Sequence, residues 1–111
     1  MICHSRKSGN PWPEMSKKYH LYILASHPNG TLYIGVTSDL ATRIFQHKQK
    51  TKSSFTSEYN VTRLVYCEEY ADVNEAIQRE KRMKKWRRAW KIELIERDNP
   101  EWRDLYFDLH R

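Results

Sequence analysis

Arg43 and Glu80 are charged residues at positions where the hydrophobic pattern calls for apolar ones. Leu40, Arg43, Ile44 and His47 follow the i, i+3, i+4, i+7 spacing of one helix face. Val73, Ala76, Ile77, Glu80 and Met83 trace a second such stripe. A charge on a core-facing stripe is costly unless it is paired or binds a ligand. Two readings stay open. Arg43 and Glu80 form a salt bridge, or they form a phosphodiester site. In the second, Glu80 holds a divalent cation through oxygen, as Mg2+ prefers. Arg43 then holds the phosphate and its developing charge, which a planar guanidinium suits.

Two tyrosines and a histidine add groups that carry protons. Tyr22 and Tyr33 each fall in the middle of an apolar, aromatic-rich run. Either is core, or it presents a phenol whose pKa a nearby cation lowers. Gly35 inside the second run signals close approach of another group or backbone. His47 lies one helical turn after Arg43 and is either structural or part of the same site.

The elements that position these groups follow from pattern and turn chemistry. Residues 19–26 and 31–37 read as strands, and Pro28-Asn29-Gly30 between them makes a β-hairpin. Thr37 or Ser38 caps a helix that runs to about Gln49, with Asp39 in its first turn. Residues 50–60 are a polar, hydroxyl-rich loop, and 61–70 a third strand. Asp72 and Glu75 resemble a capping box. The helix they open continues past Trp86 and Trp90 to about Arg97, where Asn99-Pro100 stops it. Trp86 and Trp90 are expected in the core, and residues 101–107 as a short helix packing Trp102, Leu105 and Tyr106. The expected fold class is α+β, a three-stranded antiparallel sheet flanked by helices. Residues 1–17, punctuated by Gly9, Asn10, Pro11 and Pro13, read as a flexible leader to a domain over 18–108.

With 111 residues the chain fits one domain with one modest core. At 39% apolar, 13% aromatic and 31% charged it is neither disordered nor membrane-spanning in composition. No apolar run is long enough for a membrane helix or a secretory signal. Cys3 and Cys67 are far apart and read as neither a disulfide framework nor a zinc site, so the expected compartment is cytoplasmic. The charge is concentrated. Arg79, Lys81, Arg82, Lys84, Lys85, Arg87, Arg88 and Lys91 face one acid, Glu80, within residues 78–92. Such a window marks either a polyanion-binding surface or a solvated helix face.

Taken together, these residues resemble the GIY-YIG nuclease signature. Tyr33-Ile34-Gly35 matches the second triplet, and Tyr22 stands eleven residues earlier across the hairpin. Arg43 and His47 follow on the first helix, and Glu80 on the helix after the third strand. The first triplet reads His20-Leu21-Tyr22 and keeps only the tyrosine. The match covers about residues 19–106. It is closest to a small stand-alone subgroup similar to the N-terminal catalytic domain of the incision subunit of bacterial excision repair.

The resemblance implies roles. Tyr22 and Tyr33 would take part in activating the nucleophile and binding phosphate, and Gly35 would give the helix room. Arg43 would bind the scissile phosphate, His47 would assist proton transfer, and Glu80 would ligate a single Mg2+ or Mn2+. Asn99 is a candidate for the asparagine near the end of the family domain. Arg79, Lys81, Arg82, Lys84, Lys85, Arg87 and Arg88 would track a nucleic-acid backbone, DNA foremost. The function implied is metal-dependent, structure- or damage-directed DNA cleavage in repair or recombination. The larger family takes specificity from appended domains, and none is expected within these 111 residues. Two other functions stay open: a non-catalytic nucleic-acid-binding module, or a subunit that works with a protein partner or as a homo-oligomer through an apolar patch near Trp86, Trp90 and Trp102.

Overall fold

A computed structural model describes residues 4–5, 18–49 and 60–109. Its elements are β1 (His4–Ser5), β2 (Tyr19–Ala25), β3 (Leu32–Thr37), α1 (Leu40–Gln49), β4 (Arg63–Tyr70), α2 (Val73–Lys84), α3 (Arg88–Asp98) and a 3₁₀ turn (Leu105–Asp108). The sheet order is β1-β4-β2-β3. Strands β3, β2 and β4 are antiparallel, as the sequence predicts. Strand β1, inside the stretch read as a leader, adds a parallel pair at the β4 edge. The remainder of 1–17 and most of the 50–60 loop lie outside the described residues. Cys67, expected to take no part in a disulfide framework, is disulfide-bonded; Cys3 lies outside the described residues.

The hairpin turn forms as its residues dictate. Asn29 has φ 60°, Gly30 N donates to His27 O at 2.8 Å, and Ser26 Oγ accepts from Thr31 N at 3.0 Å. Asparagine tolerates this left-handed conformation, which lets the chain reverse.

Strand β2 is buried on both faces, with Leu21 to Ala25 at most 1% exposed. Alternate side chains of a strand point to opposite faces, so the two faces have separate cores. Leu21 and Ile23 pack with Ala76 and Met83 of α2, and with Leu94 and Ile95 of α3. Tyr22 and Leu24 pack with Leu40 and Ile44 of α1, and with Leu105 of the 3₁₀ turn. A β-bulge in the β2–β4 pairing, between Ile23 and Leu24, leaves Val65 unpaired.

The helices depart from the sequence expectation in three places. Asp39, not Thr37 or Ser38, caps α1: its carboxylate accepts from Thr42 N at 3.3 Å, while Thr37 Oγ1 accepts from Asp39 N at 3.0 Å. The cap of α2 is Asp72 as expected, accepting from Asn74 N at 3.1 Å. The long helix expected from Asp72 to Arg97 is broken at residues 85–87. Continuing the Ala76–Met83 stripe by one turn would drive Arg87 into the core. Instead Lys85 N and Trp86 N close the turn on Arg82 O and Met83 O, and Arg87 is extended. The restarted helix then buries Leu94 and Ile95. Trp86 reaches the core edge, but Trp90, expected inside, is 50% exposed.

The third departure is at the C-terminal end. Residues 101–107 do not form one helix; extended backbone precedes the 3₁₀ turn. Trp102, at φ 57°, is buried and donates Nε1–H to Glu96 at 2.7 Å. Asp104 accepts from Leu64 N at 3.2 Å and Tyr106 N at 3.1 Å, and pairs with Lys48 of α1.

Candidate active site

Strand β3 is an edge of the sheet, with α1 packed on one face and α2 on the other. The unusual polar residues of both helices converge there. Tyr22 starts from β2, and its paired residue across the hairpin is Gly35. The Tyr22 ring lies over that glycine: a β-carbon on Gly35 would sit 2.6 Å from the phenol oxygen and 2.7 Å from Cζ. Gly35 therefore makes room for the Tyr22 ring.

At this edge Tyr22 meets two side chains of α1. Its hydroxyl is 3.3 Å from His47 Nε2. Arg43, one turn earlier, brings its positive charge to bear on the same oxygen. Tyr33 closes the group, its ring centroid 6.3 Å from that of Tyr22 and 5.8 Å from that of His47. Glu80 reaches the site from α2 with its side chain 20% exposed, and its negative charge is felt at Tyr22.

The electrostatics of Tyr22 set its burial against the nearby cation. Burial pushes its phenol up to about 12, Tyr33 and Glu80 add to the rise, and Arg43 opposes it. A phenol in a poorly solvated site keeps its proton, because the anion loses more solvation than one guanidinium returns. Tyr22 is thus a neutral hydroxyl at physiological pH, not a ready phenolate. Its raised pKa favours the folded state fully below the ordinary tyrosine value of about 10, and that contribution is lost as pH rises through about 12. Tyr22→Phe is expected to remove an ionisation near pH 12 from the phenolate absorbance titration; an unchanged titration in that range would contradict this.

Glu80 does not pair with Arg43. Its ion pair is with Lys84, one turn on, at 3.2 Å. Asn99 is not brought to the site: it caps α3, is 4% exposed, and its amide is spent on Val65 O and on Arg103. Two of the expected backbone-binding arginines are also engaged elsewhere. Arg79 forks onto Glu68 at 3.2 and 3.0 Å, and Arg88 donates to Asn29 O and Gly30 O at 2.6 and 2.5 Å. Lys81, Arg82, Lys84, Lys85 and Arg87 are exposed. No sequence signal pointed to the Glu68–Arg79 pair, because their contact joins a strand to a helix.

The GIY-YIG catalytic domain model matches residues 18–93. The chain belongs to the GIY-YIG family. A UPF0213 protein of Bacillus pumilus is 34% identical over 82 residues, covering 74% of this chain and 84% of that protein. One from Staphylococcus epidermidis is 30% identical over 79 residues, covering 71% and 95%. The solution NMR structure of a UPF0213 protein from Bacillus halodurans is similar at TM-score 0.50 and 25% identity, covering 78% of this chain and 92% of that one. GIY-YIG membership implies a nuclease family, and with it a nucleic-acid substrate and a divalent ion. Among the described residues no helix is long and apolar enough to cross a membrane.

The donor set of this GIY-YIG domain fits such an ion. Among the described residues there is no group of three or more His, Cys, Asp and Glu side chains that could hold a metal. One partly exposed carboxylate, Glu80, whose charge is felt at the Tyr22 phenol, suits an ion that keeps most of its waters and takes substrate phosphate. Gly35→Ala tests the packing of the site. It is expected to displace the Tyr22 phenol and cost about 1–3 kcal/mol of stability by overpacking. Urea denaturation measures this, and a variant as stable as the parent would show that Tyr22 yields freely.

Proposed function

We propose that this protein is a metal-dependent DNA endonuclease that hydrolyses phosphodiester bonds, directed by DNA structure or damage and acting in repair or recombination. The observation that carries this reading is the convergence of Tyr22, Tyr33, Arg43 and His47 beside Glu80 at one sheet edge. Arg43 binds a non-bridging phosphate oxygen and stabilises the charge added as phosphorus is attacked. Glu80 would hold Mg2+ or Mn2+, and the ion would supply Lewis acidity to the reaction. Tyr22 takes a proton from the attacking water while passing its own to His47 Nε2, 3.3 Å away, in the tautomer whose Nε2 accepts. This relay needs no free phenolate, which accords with the raised pKa of Tyr22. Tyr33 orients the phosphate, and exposed Lys81, Lys84 and Lys85 follow the backbone without reading sequence.

The exposed cations also favour a second reading, a nucleic-acid-binding module that does not cut or cuts only with a partner. The experiment is cleavage of labelled single-stranded, duplex, flapped and branched DNA, with RNA counterparts. Wild type and Glu80→Ala are compared with Mg2+, with Mn2+ and with chelator, and binding is measured alongside. Metal-dependent cutting that Glu80→Ala abolishes, with binding retained, is the expected result. Binding without cutting under any metal would instead select the module.

A further inference from the structure

We propose that Trp90, backed by Trp86 at the α2–α3 break, is a stacking site for an unpaired base of the bound nucleic acid; this deepens the nuclease reading and rests on it. Three observations converge on the pair. First, the two indoles meet edge to face, with centroids 6.2 Å apart and planes at 78°. Trp86 is partly buried against the core, whereas half of the Trp90 surface stays open. An exposed indole held by a second, anchored indole is a rigid platform with little side-chain freedom left to lose.

Second, the platform is braced from the interior. The Arg79 guanidinium lies 5.1 Å from the Trp86 ring centre and is itself forked onto Glu68, which is fully buried. The sequence Glu68, Arg79, Trp86, Trp90 is thus an unbroken line of contacts from the sheet to the surface. Third, the surroundings are cationic. Arg87 lies 5.2 Å over the Trp90 ring, and Arg97 lines the adjoining groove of about 290 Å³ with Glu93 as its acid. Exposed Lys81, Lys84 and Lys85 lie on the α2 side of the break. A partner that is both flat and anionic suits this combination. A base offers a π face to Trp90, and its phosphate falls to the Arg87 guanidinium. A stacked base must be unpaired, so the site selects single-stranded or frayed DNA over blunt duplex.

The test is binding of a labelled oligothymidine and of a blunt duplex by the full chain in chelator, where cleavage cannot intervene. Trp90→Ala is expected to weaken single-strand binding about 5- to 100-fold, the range of one stacked base, and to leave the duplex unchanged. Trp90→Phe should keep most of the affinity. The salt dependence of single-strand binding should be unaltered in Trp90→Ala and shallower in Arg87→Ala, which removes a cation. Equal losses on both probes, or no loss on either, would overturn the site, and the second is also the result if a protein occupies this groove. Failure here is separable from failure of the nuclease reading. Metal-dependent cutting with unchanged single-strand affinity in Trp90→Ala refutes only the stacking site. Trp90-dependent binding with no cutting refutes only the nuclease.

Discussion

Arg43→Ala is expected to slow single-turnover cleavage by about 10²- to 10³-fold, the usual effect of removing one donor to a developing oxyanion. The side chain is exposed on α1, and its charge acts on the Tyr22 phenol. Its ion-pair partner is not Glu80, which is held by Lys84. Among the described residues no carboxylate pairs with the Arg43 guanidinium, so its charge is placed to meet a phosphate. An exposed residue of this kind supports little of the fold, so the stability change should stay within about 0.5 kcal/mol. Arg43→Lys should recover only part of the rate, because it restores the charge but not the two-pronged donor. A rate for Arg43→Ala within threefold of the parent would remove Arg43 from the chemistry.

Glu68→Ala is expected to destabilise the domain by about 3–5 kcal/mol, the cost of leaving a buried charge without its partner. That is a large part of the roughly 5–15 kcal/mol available to a domain. The Glu68 carboxylate accepts from Arg79 through two nitrogens, from the Tyr66 hydroxyl at 2.5 Å and from the Tyr70 hydroxyl at 2.7 Å. Truncation removes the shared acceptor of all three donors. Replacing Glu68 and Arg79 together by leucine and methionine should recover most of the loss, since no charge is then left alone. Denaturant titrations of the four proteins measure the coupling, and purely additive losses would refute it.

The same pair has a pH signature. Burial alone would push the Glu68 carboxyl up, but the hydrogen bonds from Arg79, Tyr66 and Tyr70 outweigh it and hold the group below the ordinary carboxylate value. Its contribution is therefore present above that ordinary value and lost as pH falls through the lower folded one. Acid unfolding of Glu68→Gln should accordingly be less steep than that of the parent.

Much of this was readable from one-dimensional pattern. Pro28-Asn29-Gly30 between two aromatic runs was enough for the hairpin, and hence for the neighbourhood of Tyr22, Tyr33 and Gly35, because turn geometry sets strand register locally. Arg43, His47 and Glu80 stood out for the opposite reason: they break an amphipathic stripe, and a sequence breaks its own pattern where a function needs it. The basic window was equally visible, since charge density needs no fold to be counted.

Other features depend on contacts between segments distant in the chain. The helix break at residues 85–87 follows from where the sheet lies beneath it, since an unbroken helix would bury Arg87 and leave Leu94 and Ile95 poorly placed. Arg79 and Arg88 look identical to their basic neighbours in sequence, yet one finds Glu68 and the other the hairpin turn. Asn99 looks like a family residue and instead ties α3 to β4 and the following turn. Tyr22 carries the same phenol wherever it stands, and its proton is held by burial at the sheet edge. Periodicity and turn chemistry say which face a residue takes; which partner it meets there, and at what solvation cost, is settled by packing alone.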